Sequence, residues 1–297
     1  MSVAIIKKEI QMKDLKIAYL EAGPENGRPV VLFHGFPDSA YSYSYIMEQL
    51  AKQGYKVYAP FLRGFYPTQM LEETVNPGNQ AILGQDAIDF FDVLKLDQAI
   101  LVGQDWGSPL AEILAFSRPE HVAKLVKLNW YGIYTMAESR KAERFEYEQM
   151  RESWYIWMLN TPLGEAVTVF DPVGFSKSLW KQWTFHWNEK QEQLFEKAKE
   201  AFLTPDFGKT VLSAYRSGMA YGKTAVNKLE EELRTLPSVP VDTIVLSGTE
   251  DPVESTPLPQ KMIKHYFTGK FTFYAVEDTG HFIHHEKPEA VIRAITD

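Results

Sequence analysis

The chain has 297 residues, 45% of them hydrophobic, 24% charged and 13% aromatic, which is enough to bury a sizeable core and unlike the composition of a disordered chain. Its formal net charge of -8 comes from interspersed signs with no basic stripe, so nucleic acid is excluded as a partner. Cysteine is absent, which removes disulfides, thiolate nucleophiles and cysteine-ligated zinc. Neither a cleavable apolar leader nor a membrane-length run is apparent, and we expect a cytoplasmic protein.

In chain order, Ile5 to Ile10 and Leu15 to Glu21, with Lys13-Asp14 between, read as an antiparallel hairpin. Short apolar runs at Val30–Phe33, Val57–Pro60, Ala99–Val102, Leu125–Leu128, Thr243–Leu246 and Phe271–Tyr274 predict strands covered on both faces. Helical spacing predicts helices over 41–53, 80–95, 107–118, 257–267 and 288–296. The alternation predicts an α/β fold, a doubly wound and mostly parallel sheet of about eight strands. Between about Ile133 and Gly222 the strand signal lapses and aromatics gather. We therefore expect a core domain of residues 1–133 and 223–297 and a helical cap of residues 134–222.

Gly103-Gln104-Asp105-Trp106-Gly107 follows a predicted strand and precedes a predicted helix, the context of a nucleophile elbow. An ordinary turn with a capping aspartate is the plain alternative. Two further segments decide between them: Ser247-Gly248-Thr249-Glu250-Asp251 and Glu277-Asp278-Thr279-Gly280-His281 each follow a predicted strand. The order nucleophile, acid, histidine is that of an α/β-hydrolase, which makes Asp105, Asp251 and His281 the catalytic candidates. In His34-Gly35-Phe36-Pro37, Phe36 supplies a backbone N–H that can pair with that of Trp106 as an oxyanion hole. His34 is expected to have a structural role.

A carboxylate at the elbow attacks an electrophilic sp³ carbon and becomes an alkyl ester. Water activated by His281, itself oriented by Asp251, then hydrolyses that ester. A halide leaving group needs only weak N–H donors, whereas an epoxide oxygen needs acidic hydroxyls. No metal or cofactor is called for; the partners are a small organic molecule and water, and the oligomeric state stays open.

Together the motifs HGFP, GQDWG, GTED and TGH resemble the α/β-hydrolase branch that holds epoxide hydrolases and haloalkane dehalogenases, over essentially the whole chain. The cap segment Ser153-Trp154-Tyr155-Ile156-Trp157 is similar to the one that brings an epoxide hydrolase its first ring-opening tyrosine, and Ser213-Ala214-Tyr215-Arg216 to the one that brings the second. The resemblance thus implies an epoxide hydrolase with Tyr155 and Tyr215 as donors. Its implied pocket takes in His34, Phe36, Pro37 and Trp106, together with Trp183, His186 and Phe282. Among the cap tryptophans, Trp180, Trp183 and Trp187 are either indole donors to a halide or core packing. Gln104 stands where epoxide hydrolases commonly carry histidine, and Phe36 where one dehalogenase subgroup carries a halide-binding asparagine. The competing readings are a haloalkane or haloacid dehalogenase with the same triad, and a hydrolase-like ligand-binding protein without turnover.

Overall fold

The computed structural model describes residues 3–139, 147–217, 227–254 and 263–297. The opening hairpin forms as expected, β1 (Ile6–Gln11) pairing antiparallel with β2 (Leu15–Ala22) from Ile6↔Glu21 to Gln11↔Lys16. The predicted runs become β3 (Arg28–Phe33), β4 (Tyr55–Pro60), β6 (Ala99–Gln104), β7 (Val122–Leu128), β8 (Thr243–Gly248) and β9 (Phe271–Val276). Their order is β1-β2-β4-β3-β6-β7-β8-β9, with the two-residue β5 (Gln69–Met70) pairing β2. Every neighbouring pair from β4 to β9 is parallel, while β2 runs antiparallel to both β1 and β4.

Strand alternation sorts the core into two layers. Val31, Phe33 and Leu101 face a layer that includes α2 (Gln80–Val93) and α3 (Gly107–Ser117), whereas Val30, Leu32 and Val102 face one that includes α1 (Ser44–Lys52) and the C-terminal helix Pro288–Thr296. All six residues of β6 are buried. The chain reverses its direction of winding between β3 and β6, and a crevice opens at such a switch point beyond the carboxyl ends of the strands. Both the HGFP loop and the elbow begin there.

Between β7 and β8 the described residues form helices α4 (Ile133–Ser139), α5 (Tyr147–Glu152), α6 (Trp154–Leu159), α7 (Pro162–Phe170), α8 (Pro172–Trp183), α9 (Glu189–Ala198), α10 (Pro205–Ser217) and α11 (Lys228–Leu233). A fully buried ion pair fixes the exit from β7. Lys127 meets Glu112 of α3, and the same carboxylate accepts the Ile133 N–H at 2.7 Å where α4 starts. The expected cap boundary at residue 222 lies outside the described residues, as does most of the helix expected over 257–267. The described end of that helix is a 3-10 turn, Lys264–Tyr266. Among the described residues no helix is long and apolar enough to cross a membrane.

Candidate active site

Asp105 has φ +48°, a left-handed conformation costly for a residue with a Cβ, as a sharp strand-to-helix elbow demands. Neighbouring glycines make the turn possible. A Cβ on Gly35 would lie 2.4 Å from the Asp105 Cβ, and one on Gly107 would lie 2.2 Å from the Phe33 carbonyl oxygen. Placed in this way, Asp105 accepts the Phe36 N–H on Oδ1 at 2.8 Å and turns Oδ2 toward His281 Nε2 at 3.6 Å.

His281 directs Nδ1 at Asp251, 3.0 and 3.1 Å from its two carboxylate oxygens. Asp251 also accepts the Val253 N–H at 2.9 Å and the Asn129 side-chain amide at 2.6 Å, and that amide donates as well to the His281 carbonyl at 3.1 Å. Both catalytic candidates of the relay, His281 and Asp251, are buried. Burial disfavours the imidazolium, yet the negative charges of Asp251 and Asp105 outweigh it and push His281 up to about 10. The three residues separated by up to 176 positions in the chain thus meet as one unit.

Aromatic rings gather beside Asp105. Trp106 stacks on Phe36 with ring centroids 5.1 Å apart and lies 5.7 Å from Tyr215. Tyr155, buried on α6, meets half-buried Tyr215 of α10 edge to face at 5.6 Å. Desolvation of each hydroxyl, reinforced by the charge of Asp105, raises both tyrosines well above their ordinary pKa, so both stay protonated donors. Trp183, at the end of α8, packs edge-on against Tyr155 at 5.0 Å and against His281 at 5.2 Å. Its carbonyl accepts the His281 backbone N–H at 2.8 Å, and its buried Nε1–H has no hydrogen-bond partner among the described residues.

The remaining candidates divide. His34 is buried, with Nδ1 toward the Gly35 carbonyl at 2.9 Å and Nε2 accepting the Leu62 N–H at 3.1 Å, a structural role. Phe282 packs between His281 and His285, at 5.3 and 4.8 Å. Pro37 uses its carbonyl to accept the Trp180 indole N–H, which commits that tryptophan to packing. Trp187 is half-buried beneath Lys181. His186 differs from expectation: its side chain is exposed and lies against Phe185, because α8 ends at Trp183 and the chain turns outward there. Sequence reasoning missed Asn129, whose only local signal is its place directly after β7, with φ +84°. It also missed Glu254, which accepts the Trp130 N–H and is raised by burial and by the charge of Asp251.

A family model described as alpha/beta hydrolase fold matches residues 28–288. The Bacillus subtilis protein named AB hydrolase superfamily protein YfhM is 29% identical over 280 residues, 93% of this chain and 91% of its own length. Human Epoxide hydrolase 4 is 35% identical over 124 residues, covering 41% of this chain and 33% of its own. The Mycobacterium marinum haloalkane dehalogenase is 34% identical over 135 residues, covering 44% of this chain and 43% of its own. Those two matches span less than half of either partner. A crystal structure of a Klebsiella pneumoniae protein, provisionally described as an epoxide hydrolase, superposes with a TM-score of 0.86 at 30% identity, over 98% of this chain and 96% of its own. With the strand order, the elbow and a family match that runs from β3 to the last helix, this chain belongs to the α/β-hydrolase family.

Proposed function

We propose that the protein is an epoxide hydrolase acting through a covalent ester on Asp105, with Tyr155 and Tyr215 of the helical segment 134–222 as the ring-opening acids. The observation that carries this reading is the meeting of two protonated tyrosines above the nucleophile, 5.6 Å apart between ring centroids. Asp105 Oδ2 attacks an oxirane carbon and the carbon–oxygen bond breaks; a tyrosine proton passes to the leaving oxygen. With the Asp105 charge gone, His281 gives its proton to the tyrosinate; water then gives a proton to the neutral His281 and adds to the Asp105 carboxyl carbon. Negative charge grows on Oδ1, where the Phe36 N–H donates and where the Trp106 N–H is the proposed second donor. The intermediate collapses, His281 returns its proton to the departing alkoxide, and a vicinal diol leaves. The proton remaining on the Asp105 carboxyl returns to His281, which restores the resting pair.

One observation favours a halide instead: the unpartnered Trp183 indole N–H beside His281 and Tyr155 is the weak donor a halide needs. Mass spectrometry of His281→Gln treated with styrene oxide or with 1-bromohexane separates the readings. Attack continues and hydrolysis stalls, leaving Asp105 heavier by the whole epoxide in the first case and by an alkyl group less one hydrogen in the second. An adduct from the bromide alone would establish a dehalogenase. No adduct from either would favour a ligand-binding protein without turnover.

A further inference from the structure

Three buried side chains with no part in the chemistry above meet directly behind it. Asp38 stands two residues beyond Phe36, while His284 and His285 stand three and four residues beyond His281 in the short helix Ile283–Glu286. Asp38 Oδ2 accepts the Nε2–H of His284 at 2.8 Å and of His285 at 3.1 Å. Its Oδ1 accepts the Ser39 N–H at 2.7 Å and the Ser42 hydroxyl. Asp38 has no solvent exposure, and the two histidines have 2% and 1%.

The ligand atoms of the three lie within 4.8 Å of one another, the spacing of a metal-binding set. A ligating imidazole, however, is normally fixed by a bond from its other nitrogen, and Nδ1 of both histidines has no partner among the described residues. Two rings that each give an Nε2–H to the shared carboxylate fit the contacts better. Burial above all pushes His284 down to about 3, in keeping with a neutral ring there. Ring contacts continue the connection. His284 stacks on Tyr43 at 4.7 Å, and His285 stacks on Phe282 at 4.8 Å, which in turn touches His281 edge-on.

We propose that Asp38, His284 and His285 are positioning residues that hold the oxyanion donor Phe36 in register with the base His281, and so set the rate of ester hydrolysis. The inference rests on the covalent mechanism above. The loop carrying Phe36 and the loop carrying His281 come from sequence positions about 245 residues apart, and this clamp ties one to the other. Its effect on the two chemical steps is unequal. During alkylation Asp105 Oδ1 changes from a carboxylate oxygen to an ester carbonyl and loses negative charge, so a misplaced Phe36 N–H costs little. During hydrolysis the same atom becomes a full oxyanion, and the misplaced donor is felt.

The test compares amides of different reach in the full-length enzyme. His284→Gln and His285→Gln place an amide N–H near the position of Nε2; His284→Asn and His285→Asn carry the same group on a side chain too short to reach Asp38. Rapid-quench mass spectrometry with styrene oxide follows ester formation and ester decay separately. In the asparagine variants we expect decay to slow about tenfold or more while formation stays within about twofold, so that kcat and KM fall together. The glutamine variants recover most of the decay rate. Ser42→Ala, which removes one donor from Asp38 at almost constant volume, is the milder second variant and should slow the same step by about twofold or more. Equal slowing of both steps, or glutamine variants no better than asparagine, overturns the inference while leaving the covalent mechanism standing. Absence of any ester in the wild type brings down the mechanism and this inference with it.

Discussion

Neutralising Asp105 should convert His281 from a proton holder into a base. In the resting site the imidazole lies 3.6 Å from Asp105 and 3.0 Å from Asp251, and is pushed up to about 10. Two unit charges 3.6 Å apart at an effective dielectric of about 20 interact by about 4.6 kcal/mol, or about three pKa units. In the proposed mechanism alkylation makes Asp105 a neutral ester, and Asp105→Asn imitates that state with a neutral amide. We therefore expect the imidazole of Asp105→Asn to titrate near pH 7, about three units below the wild type, by NMR of its ring protons. The decay rate of the wild-type ester should rise with pH around the same midpoint, because only the neutral imidazole accepts a proton from water. A shift below about one unit would refute the reasoning, since it would mean that Asp251 alone sets the histidine's proton affinity.

Tyr155→Phe and Tyr215→Phe should each lower the rate of ester formation from epoxides by about 100-fold, and the double variant further, with ester decay preserved; rapid-quench rates check this. Lys127→Met leaves the Glu112 carboxylate buried without its cation and should cost about 3–5 kcal/mol in urea unfolding. The pair Lys127→Met, Glu112→Gln should recover most of that loss, since glutamine can still accept the Ile133 N–H. Folding raises His281 from 6.5 to about 10, so the stability it contributes is complete below pH 6.5 and is lost as the pH rises through 10. The melting temperature of the wild type should consequently fall more steeply between neutral pH and pH 10 than that of His281→Gln. Parallel curves would contradict it.

Much of this site is legible in the sequence because local rules write it there. The glycines around Asp105 announce a turn that a Cβ would block, and the apolar runs at Ala99–Val102 and Thr243–Leu246 mark the strands that present Asp105 and Asp251. Chain order then selects His281 from seven histidines. Asp38, His284 and His285 carry no such signal. Their bonds join residues 246 and 247 positions apart, and neither periodicity nor turn chemistry records a pairing of that kind. Asn129 escaped notice for the same reason, its partners being Asp251 and His281. His186 shows the opposite error: it is expected in the pocket, but α8 ends at Trp183 and the ring is exposed.

The hydrogen bond from the His281 backbone to the Trp183 carbonyl has a bearing on how relatives of this enzyme diverge. The helices above the sheet look like an exchangeable part, replaceable whenever a new substrate is wanted. Yet His281, the proposed base, is suspended from them by its own main chain, and a Cβ on neighbouring Gly280 would lie only 2.3 Å from that same carbonyl. A transplanted cap that follows a different path at residue 183 would move His281 as well as the pocket wall. If His281 is the base proposed above, recognition and turnover are inherited together at this joint, and a chimera that ignores it would lose its rate before it gained a new preference.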